Sequence, residues 1–274
     1  MELYKYMPDK SFEKYIINGP TIRFTPPWDF NDPFEFYPAI SGYRDEDKWK
    51  AESSNNIQEE IEKGLLHFPK RDRGRVRKII MAKKKSAVSM VMMSTIHIVQ
   101  DKKIYDELYK KMGVFCATVD GLNILMWSHY ANNHNGVAIS FDSDDTFFKK
   151  VPLPLGRFRK VSYRKERLIL PAEEMINPEQ WYIKSDRWEY EHEYRLVSAL
   201  KVEAKYDWVD MEKGVCRIPK SVIKSVTFGC KCSNEQIDDW RKQLSDNGGF
   251  EHLKFYKAEM DKLEYKLNIV PLEG

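Results

Sequence analysis

The stretch VFCATVDGLNILMWSHYANNHNGVAISF, residues 114–141, contains two apolar segments. Between them lies a segment with polar residues at both of its ends. Residues 114–119 and 136–141 are rich in β-branched and aromatic side chains, which favour strands. Between them, apolar residues recur at spacings of three and four over 124–132, which predicts a short helix. This strand–helix–strand pattern is the core from which the rest of the fold is inferred.

Further strand and helix patterns flank this core on both sides. Their alternation without a regular βαβ repeat favours an α+β domain with a mixed or antiparallel sheet. No internal repeat or low-complexity linker divides the chain, so we expect a single domain over 1–274. The predicted strands are 3–6, 21–25, 194–200, 225–229 and 253–260, and the predicted helices are 11–17, 178–183 and 235–245.

Residues 45–112 predict a helical insertion within this domain. Residues 70–85 hold nine Lys or Arg and one Asp, beside an apolar stripe of Val76, Ile79 and Ile80. The uncharged run 86–100 is apolar on all sides, which predicts a buried core helix. At fifteen residues it is shorter than the roughly 20 that span a bilayer.

Composition excludes several classes of protein. The chain has 274 residues, a net charge of +3, 42% hydrophobic and 32% charged residues, which argues against collagen-like or wholly disordered chains. The four cysteines lack the spacing of a zinc site or a disulfide framework, so we expect no metal and reduced thiols. The start lacks a secretory signal pattern, so a cytoplasmic location without membrane contact is expected.

Two segments carry side chains suited to a pocket. In Asn31-Asp32-Pro33-Phe34-Glu35, the proline keeps Asp32 out of the helical region, which predicts a rigid turn with two carboxylates. This segment is either a purely structural turn or a loop that holds polar groups over a pocket. The helix of 124–132 is either a core helix or a pocket wall, and its candidate residues are Trp127, Ser128, His129 and Tyr130.

A third segment, WEYEHEYR (188–195), alternates charged and ring-bearing residues. In a strand, Glu189, Glu191, Glu193 and Arg195 would share one face. Carboxylates on one face repel unless cations compensate them, and Arg195 can neutralise one. The segment is therefore either a solvated edge strand or a functional carboxylate pair. A metal-dependent nuclease built on Asp32, Glu35, Glu191 and Glu193 is a further alternative.

Several segments together resemble a bacterial family catalogued as domain of unknown function 2971. These are the opening LYKYMPDKSFEKYIINGPTIRFTPPWDFNDPFE, then NILMWSHYANNHNGVAISFD, WEYEHEYRLV and IPKSVIKSVTFGCKCSNEQI. The resemblance covers most of the chain outside 45–112. The family name itself implies no activity.

A second resemblance is to the ADP-ribosyltransferase fold, in which an early strand, an aromatic region and a late strand with Glu-x-Glu follow in order. Here Leu3–Tyr6, Trp127–Tyr130 and Glu191-His192-Glu193 appear in that order. The resemblance implies Glu193 as the catalytic glutamate and Glu191 as its upstream partner. It further implies contacts with NAD from the remaining candidate residues, which are Tyr4, Lys5, Tyr6, Arg23, Asn31, Asp32, Trp127, Ser128, His129, Tyr130 and Arg195.

The implied activity is cleavage of the nicotinamide–ribose bond of NAD, with no metal and no second cofactor. NAD or another nucleotide would be the small-molecule partner. The ADP-ribose would pass to a protein or nucleic acid, or NAD would be hydrolysed, with toxin or defence effector as the implied role. A ring such as Tyr4, Tyr6 or Tyr130 would stack on nicotinamide, and Lys5 or Arg23 would hold the pyrophosphate. The alternative is a non-enzymatic module that binds a nucleotide or partner through the basic helix 70–85.

Overall fold

A computed structural model describes residues 1–150, 157–200 and 214–273. Its helices are α1 (Asp9–Phe12), α2 (Glu46–Leu65), α3 (Lys70–Ala82), α4 (Lys84–Val99), α5 (Lys102–Leu108), α6 (Ile124–Tyr130), α7 (Thr146–Lys150) and α8 (Asn234–Asp246). One π-helical turn (Glu13–Ile17) follows α1. Short 3-10 helices cover Pro27–Asp29, Ala172–Glu174, Pro178–Tyr182, Asp186–Glu191 and Lys220–Val222.

Fourteen strands lie in the described ranges. They are β1 (Glu2–Met7), β2 (Thr21–Arg23), β3 (Ala39–Ile40), β4 (Met112–Thr118), β5 (Val137–Asp142), β6 (Arg159–Lys160), β7 (Ser162–Arg164), β8 (Ile169–Leu170), β9 (Ile183–Ser185), β10 (Glu193–Ala199), β11 (Val215–Arg217), β12 (Ile223–Phe228), β13 (Lys254–Met260) and β14 (Leu267–Pro271).

Eight of these strands form one sheet in the order β14-β13-β12-β5-β1-β4-β10-β6. β12 and β13 run parallel, and the other neighbouring strands are antiparallel. The predicted α+β class with a mixed, mainly antiparallel sheet is confirmed. The chain divides into two compact units, of which one comprises Met1–Pro33, Tyr109–Lys165 and Tyr182–Gly274. The second unit comprises Phe34–Leu108 and Glu166–Trp181.

Hydrophobic side chains cover both faces of the large sheet, as the near-continuous apolar sequences of β4 and β5 require. On one face, α1 and α8 pack Phe12 and Trp240 against Phe228 of β12. On the other face, α6 packs Trp127 edge-on against Tyr6 of β1, with ring centroids 5.1 Å apart. Because α6 lies on this second face, its side chains are brought close to β1.

The second unit contains α2 to α5, the helices of the predicted insertion. The run 86–100 is helical, but it is not the buried core helix that its sequence predicts. Met90 and Met93 of α4 are 68% and 66% exposed. In α3, Ile79 of the apolar stripe is 55% exposed, and none of the residues in that helix is buried. Uniform apolarity therefore does not correspond to burial in this region.

No helix in the described ranges is both long and apolar enough to cross a membrane.

Candidate functional site

The candidate site is a cavity where two neighbouring strands separate. β1 pairs with β5 at six positions, but with β4 its described pairing is at one, Tyr4 opposite Thr118. A cavity of about 230 Å³ opens beyond that pair. Successive strand residues point to opposite faces, so consecutive residues can line one cavity only where the ladder has opened. Both strands contribute such runs, Tyr4, Lys5 and Tyr6 from β1 and Cys116, Ala117 and Thr118 from β4.

Three further segments of the same unit complete the cavity wall. The segment after β2 contributes Thr25 and the run from Asp29 to Asn31, and α6 contributes Met126 and Tyr130. The remaining wall residues are charged, and they are Lys184 of β9, Glu191 and Glu193.

A buried ion-pair network lies in this charged wall. The Lys184 ammonium lies 2.6 Å from Oε2 of Glu191 and 3.3 Å from Oε2 of Glu193. Arg195 donates from Nε and Nη2 to the two oxygens of Glu193, at 2.8 and 3.0 Å. All four side chains are buried. Two carboxylates and two cations thus compensate one another, as burial of charge requires.

The backbone brings the two glutamates together in an unexpected way. The interpretation of 188–195 as a strand with its glutamates on one face holds only from Glu193, where β10 begins, because Asp186–Glu191 is a 3-10 helix. His192 between them is left-handed, with φ 44° and ψ 45°. This turn directs Glu191 and Glu193 towards the same ammonium, whereas Glu189 is exposed on the helix. The carboxylate pair is therefore formed by a sharp turn and not by strand alternation.

The environment keeps Glu193 ionised. Burial alone would raise the pKa of Glu193, but the charges of Arg195 and Lys184 outweigh it and lower that pKa. For the neighbouring Cys116 thiol, burial and then the charge of Glu193 raise the pKa well above its usual range. Cys116 is therefore a protonated thiol beside an anionic carboxylate, and not a thiolate nucleophile.

Tyr130 links the helix α6 to this network. Its hydroxyl donates to Oε1 of Glu191 at 2.7 Å and accepts from Nδ2 of Asn31 at 3.3 Å. Burial and the charge of Glu191 raise the pKa of Tyr130, so the phenol remains a donor. The side chain of Asn123 caps α6 by accepting from the N–H groups of Leu125 and Met126, which fixes the start of this helix.

The two tyrosines of β1 have different environments. The Tyr6 hydroxyl donates to the Asp120 carbonyl at 2.8 Å and accepts from the Asn123 N–H at 3.2 Å, so that side chain is fixed. Tyr4 is half-buried, and burial raises its pKa to about 12. A Cβ at Gly121 would approach the Tyr4 ring to 2.8 Å, so glycine there allows the ring its place. Tyr4 is the more exposed of the two rings.

The structure brings seven of the predicted site residues to the cavity wall, which are Tyr4, Lys5, Tyr6, Asn31, Tyr130, Glu191 and Glu193. Arg195 is buried behind Glu193, and its guanidinium lies 5.4 Å from the ring centroid of Phe30. It acts on the cavity through Glu193.

Five predicted residues are not among the side chains that line the cavity. Arg23 is exposed and forms an ion pair with Asp29 at 2.7 Å. Trp127 is a core residue whose indole N–H donates to the Gly121 carbonyl. Asp32 is buried, Ser128 is half-buried and His129 is exposed on α6.

Lys184 is the residue that sequence reasoning missed. Its neighbours Ile183 and Ser185 form a three-residue strand, and lysine in such a strand is ordinarily solvent-exposed. A signal was nevertheless present, because three glutamates in seven residues of one segment call for a compensating cation nearby. β9 pairs with β7, which places Lys184 opposite Tyr163, whose hydroxyl accepts from the Glu193 N–H at 2.8 Å.

Within 1–150, 157–200 and 214–273, no group of three or more His, Cys, Asp or Glu side chains is arranged to hold a metal ion. Glu191 and Glu193 have Lys184 between them, where a divalent cation would have to sit. The structure therefore gives no support to the nuclease alternative.

Comparisons with known proteins bear on the same segment. Residues 126–196 match the model of a family described as "Protein of unknown function (DUF2971)". The matched range begins in α6 and ends in β10, and it includes Tyr130, Lys184, Glu191, Glu193 and Arg195. No curated protein and no solved structure showed significant similarity to the chain. The match confirms, over residues 126–196, the resemblance to the DUF2971 family that the sequence indicates.

Proposed function

We propose that the cavity between β1 and β4 binds NAD and cleaves its nicotinamide–ribose bond. The observation that carries this proposal is the pair of buried carboxylates, Glu191 and Glu193, at the wall of one cavity beside tyrosine rings. The order of these parts along the chain resembles that in ADP-ribosyltransferases, which supports the same function.

The chemistry needs an anion, and the site supplies it. As the C–N bond to ribose breaks, its electron pair leaves with neutral nicotinamide, and positive charge develops on the ribose ring. A carboxylate that interacts more strongly with this cation than with the ground state lowers the barrier. Water or a macromolecular nucleophile then attacks the ribose carbon and loses a proton. We assign the stabilising role to Glu193, with Glu191 as its partner.

Lys5 suits the anionic part of the substrate. It lines the cavity, and no carboxylate of the described residues lies within ion-pair distance of its ammonium. Arg23, the other candidate for this role, is already paired with Asp29. Lys184 and Arg195 are compensated by the two glutamates. We therefore assign the pyrophosphate to Lys5, and ring stacking to Tyr4.

The direct test is incubation of purified protein with NAD, followed by measurement of released nicotinamide. Glu193→Gln should abolish release, whereas Glu189→Gln, an exposed glutamate on the adjacent 3-10 helix, should leave it unchanged. Tyr130→Phe keeps the ring and removes the hydrogen bond to Glu191, so it should reduce release. This variant replaces Glu193→Gln as the test if Glu193→Gln disturbs folding. A folded Glu193→Gln with full activity would exclude the assignment.

The acceptor remains part of the proposal. A protein, a nucleic acid or water could receive the ADP-ribose, and transfer within the cytoplasm would suit a toxin or defence effector. Cell lysate supplied with labelled NAD separates these outcomes. Label on macromolecules supports transfer, and free ADP-ribose alone supports hydrolysis. If no nicotinamide is released either with or without lysate, the proposed function is contradicted.

The basic helix α3 supports a second candidate, a module that binds a nucleotide or acidic partner without catalysis. All its Lys and Arg side chains are at least partly exposed, and Arg77 is paired with Glu62 at 2.7 Å. Arg73 donates to the carbonyls of Phe68 and Leu66. Arg75→Gln with Lys78→Gln therefore tests binding with the least structural damage. This candidate predicts association that weakens steeply with salt and with this double substitution.

A further inference from the structure

The outer edge of β14 has backbone groups that no strand of the described residues pairs with. The Lys266 carbonyl accepts from the Asp261 N–H and the Leu272 N–H donates to the Phe255 carbonyl, so even-numbered residues of this strand bond to β13. By alternation, the backbone groups of Leu267, Ile269 and Pro271 point away from β13. Among the described residues, no strand lies on that side of β14.

This edge has one of the features that ordinarily protect a sheet, a proline at its end, and lacks the others. Natural sheets shield their edges with short strands, charged side chains, proline, bulges or covering elements. β6, at the opposite edge, is two residues long. β14 has five residues, and the stretch from Leu267 to Leu272 contains no charged side chain. Pro271 is the one residue of this edge that cannot donate a hydrogen bond.

Exposed apolar side chains continue this edge into the turn between β13 and β14. Leu263 is 95% exposed and Tyr265 102% exposed. Asp261 orders the turn, because its carboxylate accepts from the Leu263 N–H, the Glu264 N–H and Nδ2 of Asn268. These side chains are therefore held out on an ordered turn, which is typical of a contact surface.

We propose that the outer edge of β14 pairs with β14 of a second copy of this chain, antiparallel and centred on Ile269. The large sheet then continues from one copy into the other across a two-fold axis. Ile269 exchanges both its backbone hydrogen bonds with Ile269 of the second copy. The Leu267 N–H donates to the Pro271 carbonyl of the second copy. By symmetry, the Leu267 N–H of the second copy donates to the Pro271 carbonyl of the first.

A second copy fits this edge because the strand matches itself in that register. On one face Ile269 meets Ile269, and Leu267 meets Pro271, so apolar side chains oppose apolar ones. No like charges face each other along the paired stretch. Because Pro271 has no N–H, the Leu267 carbonyl of the facing strand receives no hydrogen bond from it. The ladder of inter-strand hydrogen bonds is therefore limited to this short stretch at both ends. Tyr265 lies opposite Glu273 of the second copy, so pairing covers part of the exposed turn.

A contact of this length buries little surface compared with a standard interface of about 1,600 Å². We therefore expect a dimer that dissociates on dilution. Sedimentation or light scattering of the purified chain over a range of concentrations should show a dimer at the upper end. Ile269→Lys should give a monomer throughout, because two lysines would face each other at the axis. Ile169→Lys, at an isoleucine of β8 that is 63% exposed, is the matched control and should leave the dimer intact.

A cysteine at the axis tests the register itself. Residues opposite one another in a hydrogen-bonded antiparallel pair have Cα atoms about 5.5 Å apart, a separation that a disulfide spans. Ile269→Cys should thus form a covalent dimer on mild oxidation, whereas Ile169→Cys should not. This variant retains the test if the lysine destabilises β14. A wild-type chain that is monomeric at every concentration, or a dimer that Ile269→Lys leaves unchanged, would overturn the proposal.

Discussion

At the scale of single residues, Lys184 determines whether two carboxylates can share the cavity. It lies between Glu191 and Glu193 and is buried with them. Lys184→Met keeps the side-chain volume and removes the charge. We expect it to lower the free energy of unfolding by about 3–5 kcal/mol, because it leaves buried carboxylates with too few cations. Urea unfolding measures this loss.

The matched control for that substitution is Lys231→Met, at an exposed lysine of the same unit. Surface substitutions of this kind change stability by about 0.5 kcal/mol or less. Equal stability losses in the two variants would show that the Lys184 network contributes no more than a surface charge.

Glu193 should make stability depend on pH on the acid side. Its pKa is lowered in the folded chain, so the stabilisation it provides is complete above its unfolded pKa, near 4.5, and is lost as pH falls below that value. The free energy of unfolding should thus fall from pH 5 towards pH 3, and Glu193→Gln should remove part of that fall. A Glu193→Gln profile parallel to the wild type over this range would contradict the assigned environment.

At the scale of elements, the N-terminal caps of α6 and α8 should separate stability from activity. Asn123 caps α6, which positions Tyr130, and Ser233 caps α8 by accepting from the Gln236 N–H. Ser233→Ala should cost about 1 kcal/mol of unfolding free energy. Asn123→Ala should cost more, because its Nδ2 also donates to the Tyr190 carbonyl at 2.8 Å. Only Asn123→Ala should also reduce nicotinamide release, because α6 alone of the two helices reaches the cavity. Equal activity in both variants would contradict this.

The exposure of α4 is checked by methionine oxidation. Met90 and Met93 are largely exposed, whereas Met112 and Met126 are each 9% exposed. Brief treatment with hydrogen peroxide, followed by peptide mass spectrometry, should therefore oxidise the first two well before the others. Oxidation of Met126 before Met90 would mean that α4 is covered in solution.

The elements that sequence predicts well are those whose pattern reports on packing directly. β4, β5 and β10 were expected within one or two residues of their ends, because their apolar runs match strands buried on both faces. The interpretation of 188–195 as a strand holds only from Glu193 onwards, because alternation of Glu cannot show the left-handed turn at His192. The prediction that 86–100 is helical is correct, and the prediction that this helix is buried is wrong. Its sequence carries no information on what covers it.

At the scale of the whole molecule, the site depends on contacts between segments far apart in sequence. Tyr4, Tyr130 and Glu193 line one cavity, which opens where the described pairing of β1 with β4 ends after one position. The segments 124–132 and 188–195 made Tyr130 and Glu193 candidates, and the resemblance to ADP-ribosyltransferases added Tyr4. Local patterning cannot show where a ladder opens. For the same reason Arg23 and His129, which carry suitable chemistry, were expected at the site and lie outside the cavity wall.

The most direct measurement is nicotinamide release from NAD by three proteins of verified fold: the wild type, Glu193→Gln and Glu189→Gln. We expect release by the wild type and by Glu189→Gln, and none by Glu193→Gln. The proposed function is contradicted if wild-type protein releases no nicotinamide even with lysate as a source of acceptors, or if all three proteins release it at the same rate.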